Sequence, residues 1–78
     1  DYGFDIKTGK NALTGNTAEN NDDYGFQVAA NNKLYDNSAI SGNKYGFYIN
    51  GNNILENNTA KGNIDGFFSD GDNCFLKN

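Results

Sequence analysis

Chemistry in this chain would have to come from a narrow set of side chains. The sequence carries ten Asp and Glu, six Lys, no Arg, no His, no Met and a single cysteine, Cys74. A Cys/His zinc site is therefore excluded, and so is any disulfide within the chain. The lone thiol leaves the redox compartment open. Among the carboxylates, Asp5, Asp65, Asp70 and Asp72 are the candidates for acid–base or cation chemistry. Asp70-Gly71-Asp72-Asn73 resembles half of a calcium loop, which makes Asp70 and Asp72 a candidate Ca2+ pair. The closing Glu and the rest of the ligand set are missing. A polar turn between strands is the plainer reading, and no other cofactor is expected. Tyr35, Tyr48 and Phe68 are candidate exposed aromatics. Such rings stack on sugars, while Asn and Asp bond sugar hydroxyls; ordinary surface packing explains the same rings without a ligand. Asn57-Asn58-Thr59 is the one glycosylation sequon.

Composition narrows the partners further. A net charge of −4 with no Arg argues against nucleic-acid binding, which needs a basic stripe. No apolar run approaches the roughly 18–20 residues of a membrane-spanning helix, so no membrane insertion is expected. No leader segment is visible; any such segment was removed or lies outside these residues. Seventy-eight residues make one small domain, and apolar residues are only 36% of it. That share, with 16 Asn and 10 Gly, would suit a disordered chain. Eleven aromatics argue against disorder.

Periodicity resolves the conflict. Asp1-Tyr2-Gly3-Phe4 returns as Asp23-Tyr24-Gly25-Phe26, as Lys44-Tyr45-Gly46-Phe47 and as Ile64-Asp65-Gly66-Phe67, with the glycines 22, 21 and 20 residues apart. Each time Asn11-Ala12-Leu13 is echoed, by Asn32-Lys33-Leu34, Asn53-Ile54-Leu55 and Asn73-Cys74-Phe75. Asn16, Asn37, Asn58 and Asn78 follow at a constant offset, and Ala18, Ala39 and Ala60 two residues beyond the first three of them. Asn21, Asn43 and Asn63 close the units. A fixed period across a whole chain marks a solenoid. The repeats fall at 1–22, 23–44, 45–64 and 65–78, one segment of about 3.7 coils.

Within a unit, Phe4-x-Ile6, Phe26-x-Val28 and Phe47-x-Ile49 alternate as strands do, and no stretch holds helical periodicity. A unit of two or three short strands cannot bury its apolar side alone. Stacking coils about 4.8 Å apart puts Phe on Phe, Leu on Leu and Ala on Ala. The asparagines then stack too. Columns 11/32/53/73 and 16/37/58/78 are expected to be interior amide ladders, with 21/43/63 a third, and to take the unusual backbone angles of the bends. Turn formation and stacking account for them without a ligand. The extra residues before Asn11 and before Asn43 fall at bends. The glycine column 3/25/46/66 is expected to face outward, Cys74 to point outward, and Asn57 to lie outside while Asn58 lies within its ladder.

These motifs, Tyr-Gly-Phe-x-Ile/Val, Asn-x-Leu-x-x-Asn-x-Ala and a closing Asn-x-x-Tyr-Gly or its near form, resemble the repeats of the right-handed parallel β-helix superfamily. That superfamily includes pectate lyases, epimerases, polygalacturonases, phage tailspikes and NosD-like periplasmic proteins. The resemblance covers the whole chain. It implies an all-β, right-handed parallel β-helix with uncapped ends, the hand agreeing with the crossover preference of parallel strands. It also implies an extracellular or cell-surface setting, and contact with polysaccharide along one outer strand face.

That face is expected to present Gly3, Asp5, Gly25, Gln27, Gly46, Tyr48, Gly66, Phe68 and Asp70, of which Asp5, Gln27, Tyr48, Phe68 and Asp70 are the candidate binding residues. Uronate elimination needs an Arg or Lys base, and this row has none. Inverting hydrolysis needs carboxylates roughly 6.5–9.5 Å apart. Asp5 and the Asp65/Asp70 pair are about three rungs, or roughly 14 Å, apart. No catalytic residue is assigned. NosD-like copper handling would leave Cys74 as the only soft ligand, and copper is set aside. The expected function is a structural or carbohydrate-contacting segment. The alternative is part of a lyase, epimerase or hydrolase whose catalytic residues lie in other coils. The absence of a capping unit at Asp1 or Asn78 implies either a longer solenoid or copies joined end to end as a filament.

Overall fold

A computed structural model describes all residues, 1–78. The first coil holds β1 (Tyr2–Ile6), β2 (Ala12–Thr14) and β3 (Thr17–Glu19). The second holds β4 (Tyr24–Val28), β5 (Lys33–Tyr35) and β6 (Ser38–Ile40). The third holds β7 (Tyr45–Asn50), β8 (Ile54–Glu56) and β9 (Thr59–Lys61), and the fourth β10 (Asp65–Asp70) and β11 (Cys74–Leu76). The chain has no helix, and so none long and apolar enough to cross a membrane.

Equivalent strands pair in parallel, coil on coil. Sheet 1 runs β1-β4-β7-β10, sheet 2 β11-β8-β5-β2 and sheet 3 β3-β6-β9. The protein is an all-β parallel solenoid of about four coils. Register follows the repeat: Phe4, Phe26, Phe47 and Phe67 align, as do Leu13, Leu34, Leu55 and Phe75, and Ala18, Ala39 and Ala60. The bends keep register as well. Of 45 backbone hydrogen bonds, 24 lie within the strands, and most of the others join a bend to its equivalent one coil on, as Lys10 N–H does to Asn31 O at 2.7 Å. Solenoid stacking thus satisfies the backbone of short loops that would otherwise need water.

The core is a set of columns. Phe26, Phe47, Val28, Ile49, Leu34, Leu55 and Ala39 are all fully buried. The Phe rings stack at 4.7, 4.6 and 4.8 Å with planes within 5° of parallel. The column of Ile6, Val28 and Ile49 ends on Ser69 in β10, where the Ser69 hydroxyl accepts from Asn73 Nδ2 at 2.8 Å.

All three asparagine columns are ladders. In the second, Asn16, Asn37 and Asn58 each donate backbone N–H and Nδ2 to the Oδ1 of the next coil's asparagine, at 2.9–3.0 Å. Nδ2 of Asn37, Asn58 and Asn78 also donates back to Leu13, Leu34 and Leu55 carbonyls. In the first column, backbone N–H of Asn11, Asn32 and Asn53 reaches the next Oδ1 at 2.8–3.0 Å. The third joins Asn21 to Asn43 and Asn43 to Asn63.

Two expectations need correcting. The ladder asparagines do not take the unusual angles. The left-handed residue stands just before them: Lys10 and Asn31 before the first ladder, and Gly15, Asp36, Asn57 and Lys77 before the second, at φ 56–69°. A single left-handed residue turns the chain so that the next side chain enters the interior.

Nor does the glycine column face outward. Gly25 and Gly46 are buried. A Cβ on Gly46 would lie 2.6 Å from Gly66 O and 3.0 Å from Ala60 Cβ. The alternation breaks here, so glycine and the following Phe both face inward, and glycine admits the Ala column of sheet 3. Gly46→Ala is expected to destabilise by about 1–3 kcal/mol through overpacking. Gly66→Ala is expected to be near neutral, because its nearest neighbour would be Ala60 Cβ at 3.4 Å, ordinary contact. Denaturant midpoints of the two variants check this; equal shifts would restore an outward glycine.

Candidate functional site

The outer surface of sheet 1 gathers most of the sequence candidates. Asp5, Gln27, Tyr48 and Phe68 align in one outward column. Beside it runs a second column, Tyr2, Tyr24, Tyr45 and Asp65. The two meet edge and face. Tyr48 stacks on Phe68 at 4.6 Å with planes 10° apart, and Tyr24 lies 4.8 Å from both Tyr2 and Tyr48. Tyr45 touches Tyr48 at 5.4 Å and Phe68 at 5.7 Å in edge geometry. The result is a continuous aromatic strip across all four coils, open at Tyr2 (44% exposed) and Phe68 (41% exposed).

The tyrosine column was not among the sequence candidates. An outward glycine would have put its preceding Tyr inside; the break in alternation at the glycine reverses that parity. The available signal was Tyr at three equivalent positions next to a glycine whose column must admit alanine.

Crowding leaves an electrostatic mark. The Tyr24 hydroxyl is held above its ordinary pKa, first by loss of hydration, then by the neighbouring Tyr2, Tyr48 and Tyr45 and by the Asp23 carboxylate. Gln27, between Asp5 and Tyr48, carries the one buried side-chain oxygen without a hydrogen-bond partner, its Oε1. An unmet buried acceptor costs about 1–3 kcal/mol. Asp5 takes Lys7 Nζ at 3.7 Å. Lys44 Nζ lies 5.6 Å from the Tyr45 ring centroid, within cation–π range.

Other candidates fall elsewhere. Tyr35 is on sheet 2, aligned with Thr14 and Glu56, apart from the strip. Asp70 ends β10 opposite Asn50, and Asp72 is exposed in the following bend. The bend's carbonyls are engaged: Asp70 O accepts Gly51 N–H at 2.7 Å and Asn73 Nδ2 at 3.2 Å, and Gly71 O accepts Asn73 N–H at 3.2 Å. No group of three or more His, Cys, Asp or Glu is close enough to share a metal ion. Cys74 is free and exposed. Asn57 is exposed and donates to Asp36 Oδ1 at 2.6 Å, while Asn58 is 2% exposed within its ladder. Two open hollows of about 380 and 390 Å³ lie along the sheet 2 side, one beside Asp36 and Glu56, the other beside Lys10 and Lys33. Neither contains a strip residue.

No protein-family model matches the chain, and neither a curated protein nor a solved structure matches it.

Proposed function

We propose that this segment contacts carbohydrate through the aromatic strip of sheet 1, as part of an extracellular or cell-surface protein of the right-handed β-helix superfamily. The observation that carries the reading is the strip itself: five adjoining aromatic side chains on the solvent side of a regular parallel sheet. Rings in such a row offer apolar surface with hydroxyl groups at the rim, the two things a pyranose presents in return. Asp5 adds a carboxylate in the column of Tyr48 and Phe68. A flat sheet face with repeating rungs suits a polymer, whose successive sugars meet equivalent side chains. A deep pocket would suit a small ligand better, and the strip is not one.

Retardation in native gels containing neutral, acidic or basic polysaccharide tests the reading. Retention is expected in at least one gel. Tyr48→Ala and Phe68→Ala are each expected to weaken it about tenfold, the effect of about 1.4 kcal/mol. Tyr35→Ala, on the other sheet, is expected to leave it unchanged. Mobility unaffected by every polysaccharide, or retention indifferent to Tyr48→Ala, would overturn the proposal.

A further inference from the structure

The charges around the strip select among glycans, an inference that rests on the carbohydrate reading above. Each aromatic column is continued by a carboxylate in register: Asp5 pairs with Gln27, and Asp65 with Tyr45. Asp23 lies close enough to Tyr24 to disfavour its ionisation, and Asp70 closes β10 at the strip's edge. The strip has no guanidinium, the group best shaped to hold a carboxylate bidentately.

The face already holds ammonium groups in two ways. Asp5 takes the Lys7 ammonium at 3.7 Å, and the Tyr45 ring lies 5.6 Å from that of Lys44. Exposed pairs of this kind are weak and exchange readily. Asp65 and Asp70 have no cationic partner at all. Ionised carboxylates beside tyrosine faces form a surface that attracts a cation from both sides, by charge and by the ring quadrupole.

We infer that the strip binds a cationic amino-sugar polysaccharide, its ammonium groups on Asp5 and Asp65 and its ring faces on the aromatic columns, and that it rejects uronates. A polyuronate laid along the same columns would set its carboxylates against those aspartates, with Lys7 and Lys44 as the only nearby cations. The amino-sugar polymer carries the opposite charge to that of the uronate whose elimination was considered for this face.

Calorimetric titration of the 78-residue chain with three hexasaccharides decides it: a glucosamine hexamer, cellohexaose and a galacturonate hexamer, at mildly acidic pH. The glucosamine hexamer is expected to bind at least about tenfold more tightly than cellohexaose, with no measurable binding of the uronate. The double variant Asp5→Asn, Asp65→Asn is expected to abolish that preference. Asp36→Asn with Glu56→Gln removes the same charge from the sheet 2 side and is expected to leave it intact; both sites are exposed enough for folding to be confirmed by circular dichroism. Equal losses in the two double variants would mean that diffuse charge does the work, and would overturn the inference. Tightest binding of cellohexaose or of the uronate would overturn it while leaving the carbohydrate reading standing. Binding of none of the three would remove the carbohydrate reading and the inference with it.

Discussion

Asn37→Leu lowers the unfolding free energy by about 3 kcal/mol or more, although the two side chains have the same number of heavy atoms and the same branching. The wild-type amide makes four bonds. Its Oδ1 accepts from Asn16 N–H at 2.9 Å and Asn16 Nδ2 at 3.0 Å, and its Nδ2 donates to Leu13 O at 2.9 Å and Asn58 Oδ1 at 3.0 Å. Leucine would leave the Asn16 N–H and the Asn16 Nδ2 without their shared acceptor, each at about 1–3 kcal/mol, and would take from the Leu13 carbonyl its side-chain donor. For a chain this short that is a fall in melting temperature of more than about 12 °C. Asn57 next door is the contrast. It is exposed and its φ is +60°, so Asn57→Gly keeps the left-handed turn and loses only the bond to Asp36. Its expected cost is under about 1 kcal/mol, a surface change. Thermal melts of the two variants check the ladder, and similar shifts for both would refute it.

Phe26→Ala is the larger loss on the apolar side. Phe26 is fully buried and lies between Phe4 and Phe47, at 4.7 and 4.6 Å with planes 5° and 4° from parallel. Truncation removes its own transfer energy, opens a cavity and takes a stacking partner from both neighbours. The expected cost is about 3–5 kcal/mol, against a total stability of about 5–15 kcal/mol for domains in general. Tyr48→Ala, on the opposite face of the same sheet, is expected to cost much less, because its ring has access to water. Urea titrations of the two give the comparison. A cost for Phe26→Ala no greater than that for Tyr48→Ala would mean that the inward face of sheet 1 is misassigned.

The same two residues show which parts of the architecture could be read from the chain. Asn37 and Phe26 each recur at a near-constant interval, and coil stacking converts sequence interval directly into vertical contact. That is why the Phe, Leu and Ala columns, the three ladders, the exposure of Cys74 and the split between Asn57 and Asn58 were all legible. The alignment of Asp5, Gln27, Tyr48 and Phe68 was legible for the same reason.

Gly46, Asp36 and Tyr24 show what was not. Period-2 alternation assigns inside and outside correctly only while a strand runs straight. At Gly46, inside β7, the alternation breaks: Gly46 and Phe47 are both buried, and every assignment before that point changes side. The bend residues misled in a related way: asparagine's tolerance of left-handed angles suggested the ladder positions, yet Asp36 and Asn57 carry those angles so that Asn37 and Asn58 can point in.

By itself, then, the sequence determined which residue lies above which, because the translation between coils is written into the repeat. Only the tertiary structure decided which of those columns look into the core and which into water. That choice depends on where three sheets meet around the coil, and on the room that alanines from one sheet require beside glycines of another. The aromatic strip exists because of that packing: closing the Ala column against Gly25 and Gly46 turns Tyr24 and Tyr45 outward, beside Tyr48 and Phe68.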